Sequence, residues 1–381
     1  GAGVLMSGCF GAGSLEERKK ELSTTLLFGL YFTIGVAVCG LLLARPLLVL
    51  LQVPEGVLDR ACIYLKIIIL GSPFTYFYNA LAAALKSVGD SRTPVRFLIF
   101  ASLLNAALDL VFIGLLGFGI VCSAVTTVVA EGVSAALTWY HIRKAVPMLS
   151  PDKKTFRIDR RLLKTTLRYG SVTALQQACQ PVGKLLIQGA VNPLGVDVIA
   201  AFQAVNRVDD FAFTPEQSIS HGITSFTAQN LGSRQGEERK RERVGAGLRT
   251  GLLLEFLYWI CIFLLVYLGR VPVMKAFVTG EGSTGVVEAG SRYLGTMAFF
   301  YLLPAFTNGL QGFFRGRGKM GITLAGTFIQ TSLRVAVTYL TAPVLGIYGV
   351  TIACAVGWTA MLLFEVPCLF FFRDRTVKQK K

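Results

Sequence analysis

NALAAALKSVG, residues 79–89, is echoed 229 residues later by NGLQGFFRGRG, residues 308–318. Asn79, Leu81, Lys86 and Gly89 fall opposite Asn308, Leu310, Arg315 and Gly318. Working outward, GAGSLEERK at 11–19 returns as GSRQGEERK at 232–240, and Gly119-Ile-Val returns more weakly as Gly349-Val-Thr. The offsets are 221, 229 and 230, and the copies keep their order. Each copy sits at the same place relative to an apolar run and a charged loop. Such self-similarity marks two homologous halves in parallel orientation.

What lies between the copies sets the fold class. Of 381 residues 53% are apolar and only 16% charged, below the ~25% charge typical of soluble domains. The charges are bunched, and ten apolar runs separate the bunches: 23–44, 61–84, 95–115, 119–141, 166–190, 198–227, 246–268, 290–313, 320–342 and 347–371. Each is about the ~20 residues that cross a bilayer as a helix. Pro73, Pro181, Pro215 and Pro304 interrupt four of them, as is common in helices whose freed backbone groups are satisfied by neighbours or line a cavity. The expectation is an all-α membrane protein of two homologous six-helix lobes. This excludes a disordered chain, a secreted disulfide scaffold and most soluble enzymes.

The net charge of +16 would point to nucleic acid in a soluble chain. Here its distribution gives another reason. Alternate loops carry 28 basic residues, from Arg18–Lys20 through the stretch Arg143–Arg168 to Lys380 and Lys381. The other set holds only Arg45, Arg60, Arg270, Lys275 and Arg292. That asymmetry places the basic loops in the cytoplasm and leaves no call for a nucleic-acid partner. Eight cysteines form no C-x-x-C pair, and His141 and His221 lie 80 residues apart, so no metal ladder is spelled out. Walker A and Gly-x-Ser-x-Gly patterns are absent. The second half holds six runs and the first only four with the end of another. Residues 1–145 therefore read as an incomplete N-lobe lacking its first span and most of its second. Residues 146–165 read as a cytoplasmic basic linker and 166–381 as the C-lobe. The repeat arithmetic predicts about 55–70 further residues ahead of Gly1.

Ionisable residues inside spans are expensive and are functional candidates by default. Asp109 is the strongest. It lies one helical turn from Asn105, so the two share a face. The next span offers Thr126 and Thr127, and the preceding one Tyr64. A carboxylate with amide and hydroxyl oxygens nearby suits a proton or a desolvated Na+, held by Asp109 and Asn105. A second group, Arg207, Asp209 and Asp210, lies in the run 198–227, with Asp210 three residues from Arg207 on one face and Lys184 on the preceding run. Either acid there would attract a cationic substrate, and Gln176, Gln177 and Gln203 are candidates to line the same cavity. A mutually neutralised structural network is the alternative for this group.

The chain also resembles a known family. PFTYFYNAL at 73–81, followed by Gly89-Asp90 and Thr93-Pro94, is one matching segment. Asn105-x3-Asp109-x2-Phe112-Ile113 with Gly117-x-Gly119 is another, and Gly222-x6-Gln229-Asn230-x-Gly232 is a third. With the six-plus-six pattern and the basic middle loop, these resemble the multidrug and toxic compound extrusion (MATE) transporters. The resemblance implies a bacterial inner-membrane antiporter, not an enzyme, that expels organic, often cationic, compounds against Na+ or H+ entry. It implies no cofactor beyond the coupling ion, no partners beyond a small organic substrate and membrane lipid, and a monomer. In the family an Asn and an Asp four residues apart on the fifth span form an N-lobe cation or proton site, which here matches Asn105 and Asp109. Tyr64 and Thr127 fall where that cluster has further polar partners. A flippase for a lipid-linked saccharide, from the same superfamily, is the alternative.

Overall fold

A computed structural model of the chain describes residues 1–51, 53–152, 154–277 and 283–378. Lys153, Lys380 and Lys381, counted above among the basic loop residues, lie outside the described residues. The described chain is helical, with no strand. In order come α1 (Ala2–Gly11), α2 (Leu15–Leu50), α3 (Glu55–Ser87), α4 (Arg92–Asp109), α5 (Ile120–Ala145), α6 (Arg160–Val191), α7 (Val196–Gly232), α8 (Glu237–Phe277), α9 (Ser283–Phe300), α10 (Leu302–Gly316), α11 (Met320–Leu345) and α12 (Ile347–Lys378). A π-helical turn, Leu110–Leu115, continues α4.

All ten apolar runs are helical. The run 290–313 is divided at Tyr301 into α9 and α10, with Pro304 in the first turn of α10, where a missing N–H costs nothing. Among the described residues, six helices are long and apolar enough to cross a membrane: α2, α4 with its π turn, α5, α8, α11 and α12. Of the rest, α1 and α10 are too short, and α3, α6 and α7 are diluted by polar residues within their length, among them Lys66 in α3, Gln176, Gln177 and Lys184 in α6, and Asp209, Asp210 and Glu216 in α7. Exposed leucine, isoleucine, valine and phenylalanine cover the apolar helices, as in Leu42 and Leu50 of α2 and Leu340 and Val344 of α11. Apolar surface on that scale needs a nonaqueous neighbour.

The chain divides into two compact units, residues 1–168 with 232–234, and residues 169–231 with 235–381. In the first, Met6, Leu22, Leu26, Leu81, Leu85 and Ile142 form the core. There α1 packs on α2 and α3, α2 on α3, and α5 on α3 and α4. In the second, α8 packs on α9 and α10, and α12 on α9, α10 and α11. Phe202, Tyr293, Tyr301 and Trp358 are the large side chains of its main core.

The repeat extends to the backbone. Gly89 and Gly318 both have positive φ, +94° and +70°. At each, the glycine N–H returns to the carbonyl three residues back, Lys86 or Arg315. The next N–H returns to Leu85 or Phe314. This is the paired-bond helix ending that a left-handed residue makes possible. Gly117 and Gly346, again 229 apart, form a second positive-φ pair. The homologous helix crossings are filled differently. A Cβ on Gly3 of α1 would meet Ala83 of α3 at 3.5 Å, an ordinary contact. In the second unit the matching positions are Thr224 of α7 and Gly312 of α10. There Thr224 Oγ1 donates to the Gly312 carbonyl at 3.0 Å. A Cβ on Gly312 would lie 2.5 Å from the Ser220 carbonyl oxygen.

Candidate functional site

In the first unit the end of α4 faces α5. Asn105 and Asp109 are one turn apart on α4, and Ser123, Thr126 and Thr127 are one turn apart on α5, so both helices present polar groups on the facing side. Thr126, almost fully buried, is the hinge of the group. Its hydroxyl donates to Asp109 Oδ1 and accepts from Asn105 Nδ2 at 3.3 Å. Asn105 Nδ2 also reaches Thr127 Oγ1 at 3.4 Å, and Ser123 Oγ reaches Asp109 Oδ2 at 3.4 Å. Asp109 is the last α-helical residue before the π turn. Single π turns are frequent at functional sites because they re-aim side chains without ending the helix. The donor set is all oxygen and amide with one carboxylate, which suits a hard monovalent cation or a proton.

Four of the five residues expected at this site thus stand together. No hydrogen bond joins Tyr64 to them among the described residues. It precedes Thr75 on α3 by eleven residues, about 16 Å of helix, and Thr75 is the α3 residue at the level of Asn105. Thr75 donates to Glu131 of α5. A cavity of about 330 Å³ is lined there by Thr75, Asn79, Ser102, Asn105, Thr127 and Glu131. Sequence reasoning counts Glu131 among the acids inside the spans without joining it to this group, and it misses Ser123. The signal for Ser123 was its place three and four residues ahead of Thr126 and Thr127.

The second group is split by burial. Asp209 is buried and accepts the Tyr301 hydroxyl at 2.6 Å. Arg334 of α11 and Lys184 are the cations whose charge reaches it. Asp210, next in sequence, is exposed and pairs with Lys184 at 3.1 Å, not with Arg207. Arg207, Gln177 and Gln203 are also exposed, and Gln203 donates to Gln188 at 2.5 Å. Gln176 faces inward. Its amide donates to Gln311 at 2.9 Å and Thr327 at 3.0 Å, and its oxygen accepts from Thr323 at 3.2 Å. Those bonds use both its donors and tie α6 to α10 and α11.

A polar ladder between α7 and α10 uses the repeat residues themselves. Asn308 Nδ2 donates to Glu216 Oε2 at 3.2 Å, Ser220 donates to the Asn308 carbonyl, and Arg315 donates to Ser220 Oγ at 2.7 Å. Glu216, Glu255 and Glu365 are fully buried. Among the described residues no group of three or more His, Cys, Asp or Glu is arranged to hold a metal ion.

Comparison with known proteins places this arrangement. The chain is 26% identical over 310 residues to the probable multidrug resistance protein YoeA of Bacillus subtilis (strain 168), covering 80% of this chain and 65% of that one. It is 29% identical over 297 residues to YpnP of the same organism, also described as a probable multidrug resistance protein, covering 77% and 64%. The chain therefore spans slightly less than two thirds of the length of these two relatives. A third relative, the probable multidrug resistance protein NorM of Thermotoga maritima, is 26% identical over 397 residues, covering 100% of this chain and 81% of its own. A solved MOP superfamily transporter from Pyrococcus furiosus shares the fold with TM-score 0.89 and 20% identity, over 100% of this chain and 83% of that one. A MATE structure in the bent conformation gives TM-score 0.88 at 21% identity, over 100% and 83%. The family model MatE matches residues 1–111 and 173–340, well over half of the chain, and the chain is a member of the MatE family.

Proposed function

We propose that the chain acts as a secondary antiporter of a bacterial inner membrane, exporting organic, cationic compounds in exchange for Na+ or H+. The observation that carries this reading is the hydrogen-bonded series Asn105–Thr126–Asp109 where α4 turns from α to π. The family membership and the multidrug-resistance descriptions of the relatives support export of organic compounds. The coupling ion is cargo. Asp109 supplies its counter-charge, while Thr126, Thr127 and the Asn105 carbonyl supply neutral oxygens. A proton on Asp109 and a Na+ beside it are alternatives for the same charge, so the site binds one or the other. Antiport requires substrate to bind the ion-favoured conformation less well, and by reciprocity bound substrate then weakens ion binding by the same factor. On the substrate side, the exposed Asp210 with Gln177 and Gln203 offers acid and amide groups to a cation, whereas Asp209 and Gln176 serve internal bonds.

Asp109→Asn keeps the shape and removes the charge. In inverted vesicles carrying a Na+ or proton gradient, the variant should lose gradient-driven ethidium transport while reaching the membrane at normal abundance. Gradient-driven transport at the normal rate would overturn the assignment. A second reading, a flippase for a lipid-linked saccharide, rests on the exposed guanidinium of Arg207. It predicts no ethidium transport by the unaltered protein and movement of an anionic lipid-linked sugar instead.

A further inference from the structure

The second unit holds a cavity of about 660 Å³ where the end of α8 meets α9. Arg270, Lys275 and Arg292 line it. They are three of the five basic residues that the charge asymmetry leaves on the outer side, and that asymmetry gives no reason for them to converge. Arg270 lies over the Tyr267 ring, 4.7 Å from its centroid. Arg292 pairs with Glu288, the one carboxylate among the described lining residues, and those residues together carry a net charge of about +2. Ser291 also lines it. That residue is 8% exposed, and its Oγ has no hydrogen-bond partner. A buried hydroxyl left unpaired is destabilising unless a ligand completes it. The lining also includes the apolar Val271 and Phe299, 42% and 52% exposed.

Cations, an unused hydroxyl and apolar side chains in one lining match a phosphate ester joined to acyl chains. Free phosphate would leave the apolar side chains without a role. We propose that this cavity binds the headgroup of an anionic phospholipid from the outer leaflet. Lys275, Arg270 and Arg292 take the phosphate charge, the Ser291 hydroxyl donates to a phosphate oxygen, and Val271 and Phe299 receive the chain beneath it. Juxtamembrane cations are known to select acidic lipids in this way.

The test uses the full chain in detergent, titrated with brominated phosphatidylglycerol or brominated phosphatidylcholine. Trp259 is a local reporter. Its ring lies tilted against that of Phe263 with centroids 5.6 Å apart, and Phe263 meets Phe299 at 4.9 Å. Phosphatidylglycerol should quench at lower concentration than phosphatidylcholine. Lys275→Gln with Arg292→Gln should weaken phosphatidylglycerol about thirtyfold, from the attraction of two cations near the surface. Phosphatidylcholine quenching should stay unchanged in that variant, which reports that it is folded. Exchanging the two types, Lys275→Arg with Arg292→Lys, should keep the preference. Equal binding of the two lipids by the unaltered protein would overturn the proposal, as would a double Gln variant that keeps its preference. Displacement of phosphatidylglycerol by inorganic phosphate at equal concentration would also overturn it, by showing a free-anion site.

Discussion

Gly312→Ala and Gly3→Ala make the same chemical change at the same crossing of the two repeats, and their outcomes should differ in sign. The added Cβ on Gly312 would stand 2.5 Å from the Ser220 carbonyl oxygen and 2.9 Å from its Oγ, where ordinary contact begins near 3.4 Å. The obstacle is helix backbone, so α7 and α10 must part by about 0.9 Å. Overpacking of this kind costs about 1–3 kcal/mol. Parting the helices also strains the bonds from Ser220 to Asn308 and from Thr224 to Gly312, each worth about 0.6 kcal/mol inside a membrane protein. Replacing a helical glycine returns at most about 1 kcal/mol. The net loss is about 2 kcal/mol. At about 2–4 °C per kcal/mol for a unit of this size, the melting temperature should fall about 4–8 °C. Gly3→Ala meets only Ala83 at 3.5 Å and should leave the melting temperature unchanged or slightly raised. Thermal unfolding in detergent, read by tryptophan fluorescence and by loss of the monodisperse peak, measures both. Equal shifts for the two variants, or a more stable Gly312→Ala protein, would refute the idea that the second crossing is closed to a methyl group.

Two further outcomes follow from groups outside the spans. Asp159 accepts the backbone N–H groups of Arg161 at 2.9 Å and Leu162 at 3.1 Å, capping α6, so Asp159→Ala should cost about 1 kcal/mol in the same melting assay, whereas Asp159→Asn should cost little. Partial burial opposes the charge of Asp90, but hydrogen bonds from Thr93 and the nearby His141 outweigh it and hold the carboxyl below its ordinary value. Such a group stabilises the folded chain above its unfolded pKa, and that contribution is lost as pH falls through the folded one. The difference in melting temperature between the unaltered protein and Asp90→Asn should therefore shrink as pH falls below about 4. A difference that grows below that pH would reverse the sign of the argument.

The architecture was legible because apolar runs of spanning length and positive loops are read without knowing which face of a helix points where. The pairing of Asn105 with Asp109, and of both with Thr126, was legible because one-turn spacings on consecutive helices survive any orientation that brings them face to face. Tyr64 was harder, since only the rise along α3 separates it from Thr75, and a sequence gives no level at which two helices meet. Gln176 and Gln177 show the same limit in azimuth. They are neighbours in a helix whose apolar residues surround it, and one is buried in a bond network while the other is exposed. The choice of Lys184 over Arg207 by Asp210 was beyond reach, because i,i+3 spacing permits a pair without requiring it. The break at Tyr301 was marked by Pro304, but the π turn after Asp109 carries no sequence signal in Leu110–Leu115.

That π turn gives the helix bearing the proposed cation site the character of a screw with one spare thread. A π turn bonds each N–H five residues back, where an α-helix bonds four back. A step from the first pattern to the second takes up one residue of arc, about 100° of rotation and 1.5 Å of travel. Asn105 and Asp109 lie on the α side of that junction, and the chain beyond Leu115 leads through Gly117 to α5. Moving the junction by one residue swings the carboxylate around the helix axis while the helix stays hydrogen-bonded from end to end. Were Asp109 to hold the coupling ion as proposed, such a step would carry its movement into the loop that follows.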